Sequence, residues 1–541
     1  MDLKISVALL LTFPLAACSP QRDAIPPTTG SSTFSPIATA HAATAKADAG
    51  PSEGGVAWQK RDVDAAFAAA KAANKPVFLD WGAVWCPPCN QVKATIFNRQ
   101  DFVDRSRFFV PVYLDGDTKS AQKLGARFKV SGYPTMILFK PDGTEITRLP
   151  GEVDADQYMR VLALGMCGAR PVKDTLAGAL APGVPKLTPE EWRLLAYYSW
   201  DTDEQQVLPK EKVAATLQRL AQLCPAGQRE TCSRLEIKAL AAAATAKDAK
   251  PRDDEASVEK VLKLLAEPGF ARNNFDVVMY YSGAISKAYS LPKSAERAKL
   301  NAAWNAALER LLDDASLSTG DRLSVVDAQI ALAKLDDPKA ALSPALLKSV
   351  REQAARADHE TTDVYARQAV ISSAAEILTD AGLLDESDAM LKAELQRSHS
   401  PYYYMLGLAA NAKNRGDKPG ALGWYEKAYV AADGPATRLQ WGASYISALV
   451  DLSPQDAARI DAATQSVIGE LDPAPDTFYG RNQRALERMG KKLVAWDKGQ
   501  KHDTSLKRMR TQMAGICVKL PAGDPARSSC DSVFRADAAK A

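Results

Sequence analysis

The 541-residue sequence has no charge excess of either sign. Its 68 Lys and Arg stand against 65 Asp and Glu, a net charge of +3. That balance removes the electrostatic case for a nucleic-acid partner or an anionic surface. Histidine is scarce, with four in all, and His41, His359, His399 and His502 stand apart from one another. Each reads as a surface or core residue rather than a ligand. Beyond the first residues, no apolar run reaches the ~20 positions that a membrane-spanning helix needs. Cysteine is confined to eight positions, so each one asks for an account. The hydrophobic share, 46%, is ordinary for a folded chain, and the length exceeds one ordinary domain.

The first residues are unlike the rest. Lys4 precedes an apolar stretch from Ile5 to Leu15, which runs into Leu15-Ala16-Ala17-Cys18. A basic start, a short apolar core and small residues before a break read as an export signal. A plain cleaved signal meets that description. Leucine, two small residues and cysteine further resemble the lipobox of bacterial lipoproteins, which makes residues 1–18 a lipoprotein signal peptide and Cys18 the lipid-bearing residue. Asp2 beside Lys4 and Pro14 inside the apolar run depart from the pattern. Ser19, where an Asp would favour the inner membrane, tilts the expectation toward the outer one. Residues 19–53 are rich in Ala, Thr, Ser, Pro and Gly and lack large apolar side chains. They read as a flexible linker between anchor and first domain.

From Trp58 the pattern becomes that of a folded domain. Val63–Ala72 is a helix by composition, ended by Lys75-Pro76. Val77–Trp81 is a short apolar strand, and a helical stretch passes Val92 and Ile96. Phe108–Leu114 and Thr135–Phe139 are further strands, joined by a polar helix that runs to about Phe128. Pro141-Asp142-Gly143 is a turn signal before a last strand, Ile146–Leu149. A final helix ends near Gly165. Strands alternating with helices and closed by a hairpin predict an α/β domain over residues 54–170. Beyond Pro171 the strand signals stop, and residues 171–541 read as helix almost throughout. Ala375, Gly382, Ser387, Leu391 and Glu394 recur 34 residues on as Ala409, Gly416, Ala421, Tyr425 and Ala428. Small residues on facing helices with a Gly in the turn resemble a tetratricopeptide-type repeat. A third unit starts at Leu439 with Ala443. Because only part of the region shows the period, both an irregular solenoid and a helical domain without true repeats fit.

The chemistry lies in Trp85-Cys86-Pro87-Pro88-Cys89, where a strand ends and a helix begins. A helix start offers unpaired N–H groups and a positive dipole end, which favour a thiolate. The thiolate is the species that attacks a disulfide, and a cysteine one turn on can resolve the mixed disulfide. Two other readings compete. A zinc site needs more ligands at short spacing, which the sequence does not supply. An inert structural disulfide needs no particular context.

The context is specific. Phe78-Leu79-Asp80-Trp81-Gly82-Ala83-Val84-Trp85-Cys86-Pro87-Pro88-Cys89 resembles the active-site segment of the thioredoxin superfamily. Gly132-Tyr133-Pro134-Thr135 and Gly151 match two later motifs of that family in order. Thr95-Ile96-Phe97 followed by Asp101-Phe102-Val103 is most similar to the C-terminal domain of the DsbD electron transporters. The resemblance covers residues 54–168 and says nothing of the helical region. It implies an α/β thioredoxin-like domain, which the helical pattern beyond Pro171 follows with a large all-α, tetratricopeptide-like region. It further implies that Cys86 attacks, that Cys89 resolves, that Asp80 is a buried proton relay, and that Pro134 is a cis-proline beside the disulfide. Asp80 as a strand-end cap and Pro134 as a trans turn proline are the plainer alternatives. Three departures stand out. Pro111 occupies the place of a lysine near the buried carboxylate, Gly82 that of a large aromatic, and Pro87 that of Gly or Val.

Of the remaining cysteines, Cys224 and Cys232 flank Pro225-Ala226-Gly227, and Cys517 and Cys530 flank Pro521-Ala522-Gly523-Asp524-Pro525. Both pairs read as local disulfides outside the cytoplasm. Cys167 is left over, either buried and inert or able to trap a partner. The expected function is extracytoplasmic thiol–disulfide exchange, as a protein-disulfide reductase with no cofactor beyond the Cys86/Cys89 couple. Its expected partners are disulfide-containing periplasmic proteins, a DsbD-like membrane electron donor, and the membrane through the lipid anchor. A scaffold built on the helical repeats and a copper or haem maturation factor are the rival readings.

Overall fold

Val77–Gly82 is apolar at nearly every position, and both of its faces are buried. That is the mark of a central strand. The computed structural model describes residues 54–535 apart from 60–61, 119, 131, 150–154, 167–169, 184–185, 204–205 and 499–500. Cys18, His41, the 19–53 segment, Gly151 and Cys167 therefore lie outside the described residues. Strand β1 (Val77–Gly82) sits between β2 (Val110–Asp115) and β3 (Thr135–Phe139), and β4 (Glu145–Leu149) completes the order β2-β1-β3-β4. β2 runs parallel to β1, whereas β3 is antiparallel to β1 and β4 to β3. The turn into β4 is closed by Gly143, in the left-handed region at φ +87°, whose N–H donates to the Lys140 carbonyl at 2.9 Å.

Helix α1 (Val63–Ala73) is capped by Asp62, which accepts the Ala65 N–H. It ends at left-handed Asn74, ahead of the expected Lys75-Pro76 stop, because the Asn74 N–H already closes onto the last carbonyls. α2 (Pro87–Val92) does not continue as one α-helix through Ile96. It passes into a π turn over Lys93–Phe97, which lets the neighbours Ile96 and Phe97 both enter the core. α3 (Gln100–Ser106), α4 (Ala121–Arg127) and α5 (Ala155–Met166) complete the α/β domain.

Alternation along β1 divides the core in two. Val77, Leu79 and Trp81 pack with Val63, Ala66, Val112, Ile137 and Phe139 on one face. Phe78 packs with Phe97, Phe102, Met136 and Tyr158 on the other. This second core does not stop at residue 170. It continues into Leu176, Trp192 and Leu195 of the helices Val172–Leu180 and Pro189–Tyr197. The Ser199 N–H donates to the Arg148 carbonyl at 3.2 Å, so the helical region also covers the β4 edge.

From Val172 to Ser532 the described residues form helices and no strands. The 34-residue recurrence falls on two helix pairs, Val364–Asp380 with Leu384–Glu394 and Pro401–Asn414 with Lys418–Ala431. Gly382 and Gly416 hold their turns at φ +82° and +78°. Ala375, Ala409, Ala421 and Ala428 are buried where the helices meet. Among the described residues no helix is long and apolar enough to cross a membrane.

Candidate active site

β1 delivers the chain to Ala83-Val84-Trp85, and Cys86 then takes the N-cap position of α2 with extended backbone. Its Sγ accepts the Cys89 N–H at 3.3 Å. Pro87 and Pro88 have no N–H, so the Cys89 amide is the one backbone donor among the three residues after Cys86. Asn90 ties the turn down, its Nδ2 donating to the Val84 carbonyl at 2.9 Å and the Cys86 carbonyl at 3.0 Å. Cys86 and Cys89 are joined as a disulfide with Cα atoms 5.3 Å apart. They are only 3% and 4% exposed.

Asp80 lies two residues before Gly82 on β1, so both face the same side of the sheet. A Cβ on Gly82 would stand 3.4 Å from the Cys89 Sγ and 3.3 Å from the Tyr113 ring. The missing aromatic at Gly82 is thus matched by Tyr113, which fills that space from β2. Asp80 is 3% exposed, and its Oδ1 has no hydrogen-bond partner. Burial pushes its pKa up from 3.8 to about 7, against the opposing pull of the Lys93 charge. Lys93 also lies over the Tyr113 ring, 4.6 Å from its centroid. The lysine absent at Pro111 is therefore replaced by a cation from the π turn, which the linear sequence did not reveal.

The Tyr133–Pro134 peptide is cis. Thr135 Oγ1 donates to the Gly132 carbonyl at 2.9 Å, which fixes the loop ahead of β3. Tyr133 packs beside Ala83, Trp85, Cys86 and Cys89. The four residues expected at the site (Asp80, Cys86, Cys89 and Pro134) thus come from β1, from α2 and its cap, and from the loop before β3.

Residues hundreds of positions away complete the surroundings. Trp85 Nε1 donates to Thr437 Oγ1 at 2.8 Å. Thr437 in turn donates its N–H to Asp117 at 2.7 Å and its hydroxyl to the same carboxylate. Gln368 Nε2 donates to the Trp85 carbonyl at 3.2 Å, and His399 Nε2 lies 3.1 Å from the Val84 carbonyl. Trp85 stacks on Tyr403 at 5.9 Å and meets Trp441 edge-on at 4.8 Å. The Arg481 guanidinium sits 4.6 Å from the Tyr133 ring centroid. The one sequence signal for this wall was the run Tyr402-Tyr403-Tyr404, unusual in an Ala- and Leu-rich stretch.

Elsewhere, Cys224 is bonded to Cys232 and Cys517 to Cys530. Among the described residues no cysteine is free. No group of three His, Cys, Asp or Glu residues gathers there in an arrangement that could hold a metal.

A family model for the thioredoxin-like domain matches residues 63–165. The chain is 31% identical over 103 residues to the thiol:disulfide interchange protein DsbD of Pseudomonas fluorescens, a match covering 18% of each chain. It is 33% identical over 105 residues to DsbD 2 of Pseudomonas aeruginosa, covering 19% of this chain and 18% of that relative. It is 34% identical over 101 residues to the thioredoxin of Mycobacterium bovis, covering 18% of this chain and 83% of that protein. The chain therefore spans less than a fifth of the length of the two interchange proteins and most of the length of the thioredoxin.

Proposed function

Because the chain belongs to the thioredoxin superfamily through residues 63–165, we propose that it is an extracytoplasmic thiol–disulfide oxidoreductase that reduces protein disulfides. The observation that carries the reading is the Cys86–Cys89 disulfide at the start of α2, with the buried Asp80 on the strand that leads into it and Tyr133 of the cis-proline loop packed against it. In the reduced chain the Cys86 thiolate attacks one sulfur of a substrate disulfide. A Cys86–substrate bond forms, and the other substrate sulfur leaves as a thiolate. Cys89 then loses its proton, with Asp80 as acceptor, and attacks the Cys86 Sγ. The second substrate sulfur is released, and the Cys86–Cys89 bond forms. The substrate gains two electrons and the enzyme loses them. A membrane electron donor of the DsbD type would restore the dithiol.

The amides support the reducing direction. Among the described residues one backbone N–H reaches the Cys86 sulfur, that of Cys89, and the intervening prolines add none. A weakly stabilised thiolate makes the dithiol form easier to oxidise. The expected potential is nearer about −270 mV than about −120 mV. Equilibration of the full chain against glutathione measures it. A value above about −180 mV would make the protein an oxidase or isomerase instead.

Location rests on the first residues together with the disulfides Cys224–Cys232 and Cys517–Cys530, which suit an oxidising compartment. With Cys18 lipidated, the protein is tethered in the periplasm, with the outer membrane favoured by Ser19. Cys18→Ala is expected to move it from the membrane fraction to the soluble fraction or to stall its processing. If fractionation finds that variant still membrane-bound, the lipobox reading is wrong.

A further inference from the structure

The helical region is joined to the α/β domain in two different ways. At its near end the helices Val172–Leu180 and Pro189–Tyr197 share one continuous apolar core with the sheet. At its far end the helices Val364–Asp380, Pro401–Asn414, Lys418–Ala431, Pro435–Leu452 and Gly480–Trp496 return to the redox turn. Their apolar contact there is a small cluster of its own, in which Tyr402, Ala428, Ala432 and Trp441 close over Ala83, Trp85, Cys86 and Cys89. Polar contacts flank that cluster. Gln91 Nε2 donates to Ser318 Oγ at 3.1 Å, the Lys123 N–H to Asp476 at 2.8 Å, and the Arg481 N–H to Gln122 at 2.9 Å. Lys123 Nζ also pairs with Asp524 at 2.8 Å. The array thus meets the α/β domain through a large core at one end and through a small separate apolar cluster with polar contacts, a latch, at the other.

The latch occupies the surface that a substrate needs. Attack by Cys86 requires a substrate sulfur to reach its Sγ in line with the bond being broken. Cys86 as a whole residue is 3% exposed. The backbone carbonyls of Val84 and Trp85, next to it, are taken by His399 and Gln368. The Trp85 indole is held between Tyr403, Thr437 and Trp441. We propose that Gln368, Tyr403, Thr437 and Trp441 form a specificity-determining cover over the redox turn, so that a folded protein's disulfide reaches Cys86 only when these helices are displaced, whereas a small disulfide needs only a brief opening. The proposal rests on the thiol–disulfide reading above and adds a role for the helical region.

Two measurements on the full chain test it. In the reduced protein, alkylation of Cys86 by iodoacetamide and by a polyethylene-glycol maleimide is followed by peptide mapping, natively and in urea. A closed cover predicts that folding slows the bulky reagent by about tenfold or more beyond its effect on the small one. Equal slowing of both reagents would overturn the cover. Reduction of insulin and of hydroxyethyl disulfide is then compared in wild type, in the Thr437→Ala/Trp441→Ala double variant and in Gln368→Ala. Loosening the cover is expected to speed insulin reduction by about tenfold and hydroxyethyl disulfide reduction much less. Unchanged insulin rates in variants that melt as cooperatively as wild type would overturn the proposal while leaving the redox reading intact. Failure of every form to reduce either disulfide would strike the redox reading itself, and the labelling ratio would still decide the cover. If the double variant does not fold, Gln368→Ala and the wild-type labelling ratio carry the test.

Discussion

Cys86→Ser is expected to abolish disulfide exchange, by about a thousandfold or more, because it removes the nucleophile itself. Cys89→Ser should behave differently. The Cys89 amide that donates to the Cys86 sulfur belongs to the backbone and survives the substitution. The variant retains one attack and then stalls, because nothing resolves the mixed disulfide. Turnover falls as well, but a covalent adduct accumulates that Cys86→Ser cannot form. Non-reducing electrophoresis and mass spectrometry of the captured species read the difference, and they also identify physiological substrates. If the two variants show the same residual exchange and neither traps a partner, the assignment of attacking and resolving roles fails.

Asp80→Asn is expected to stabilise the protein as the pH rises. With its pKa raised from 3.8 to about 7 by burial, the Asp80 carboxyl is disfavoured in its charged form by the folded chain. Below the unfolded value the group is neutral in both states, and burying it carries no ionisation penalty. Between the two values the unfolded chain ionises first, so stability falls with rising pH until the folded carboxyl also ionises. A difference of roughly three pH units corresponds to about 4 kcal/mol, reached above about pH 7. The neutral amide escapes that penalty, so the variant should gain little near pH 4 and most at pH 8. Melting of the full chain at the two pH values measures it, and a gain independent of pH would show that burial does not perturb this carboxyl. The same variant should slow the resolving step, where Cys89 must lose a proton, and flatten its dependence on pH between 6 and 8. Lys93→Met, by removing the cation that opposes the shift, should move that inflection upward.

Much of the α/β domain was legible in the linear sequence because its signals are local. Alternation and apolar runs place β1 to β4 within a few residues, and Pro141-Asp142-Gly143 marks the last turn. Cys86 and Cys89 are one helical turn apart, and a family-like order of motifs surrounds them. The π turn over Lys93–Phe97 was not legible, because a helix reads the same on paper whether it closes its bonds at four residues or five. The two cysteine pairs Cys224/Cys232 and Cys517/Cys530 were legible because their signals, like those of the strands, are local. Their separations of 8 and 13 residues leave each cysteine within local reach of its partner.

The linear sequence by itself determined the cysteine pair one turn apart, the short apolar strand that carries Asp80 and the switch to helix after Pro171. Those properties depend on residues within one or two turns or strands of each other. Tertiary structure alone decided that Lys93 replaces a cation missing at Pro111, that Tyr113 fills the space left by Gly82, and that Thr437 and Trp441 meet Trp85. No spacing rule links residue 85 to residue 437. Their contact exists because a long stack of helices, anchored on the sheet at its start, curves back far enough for its later members to reach the sulfur end of α2.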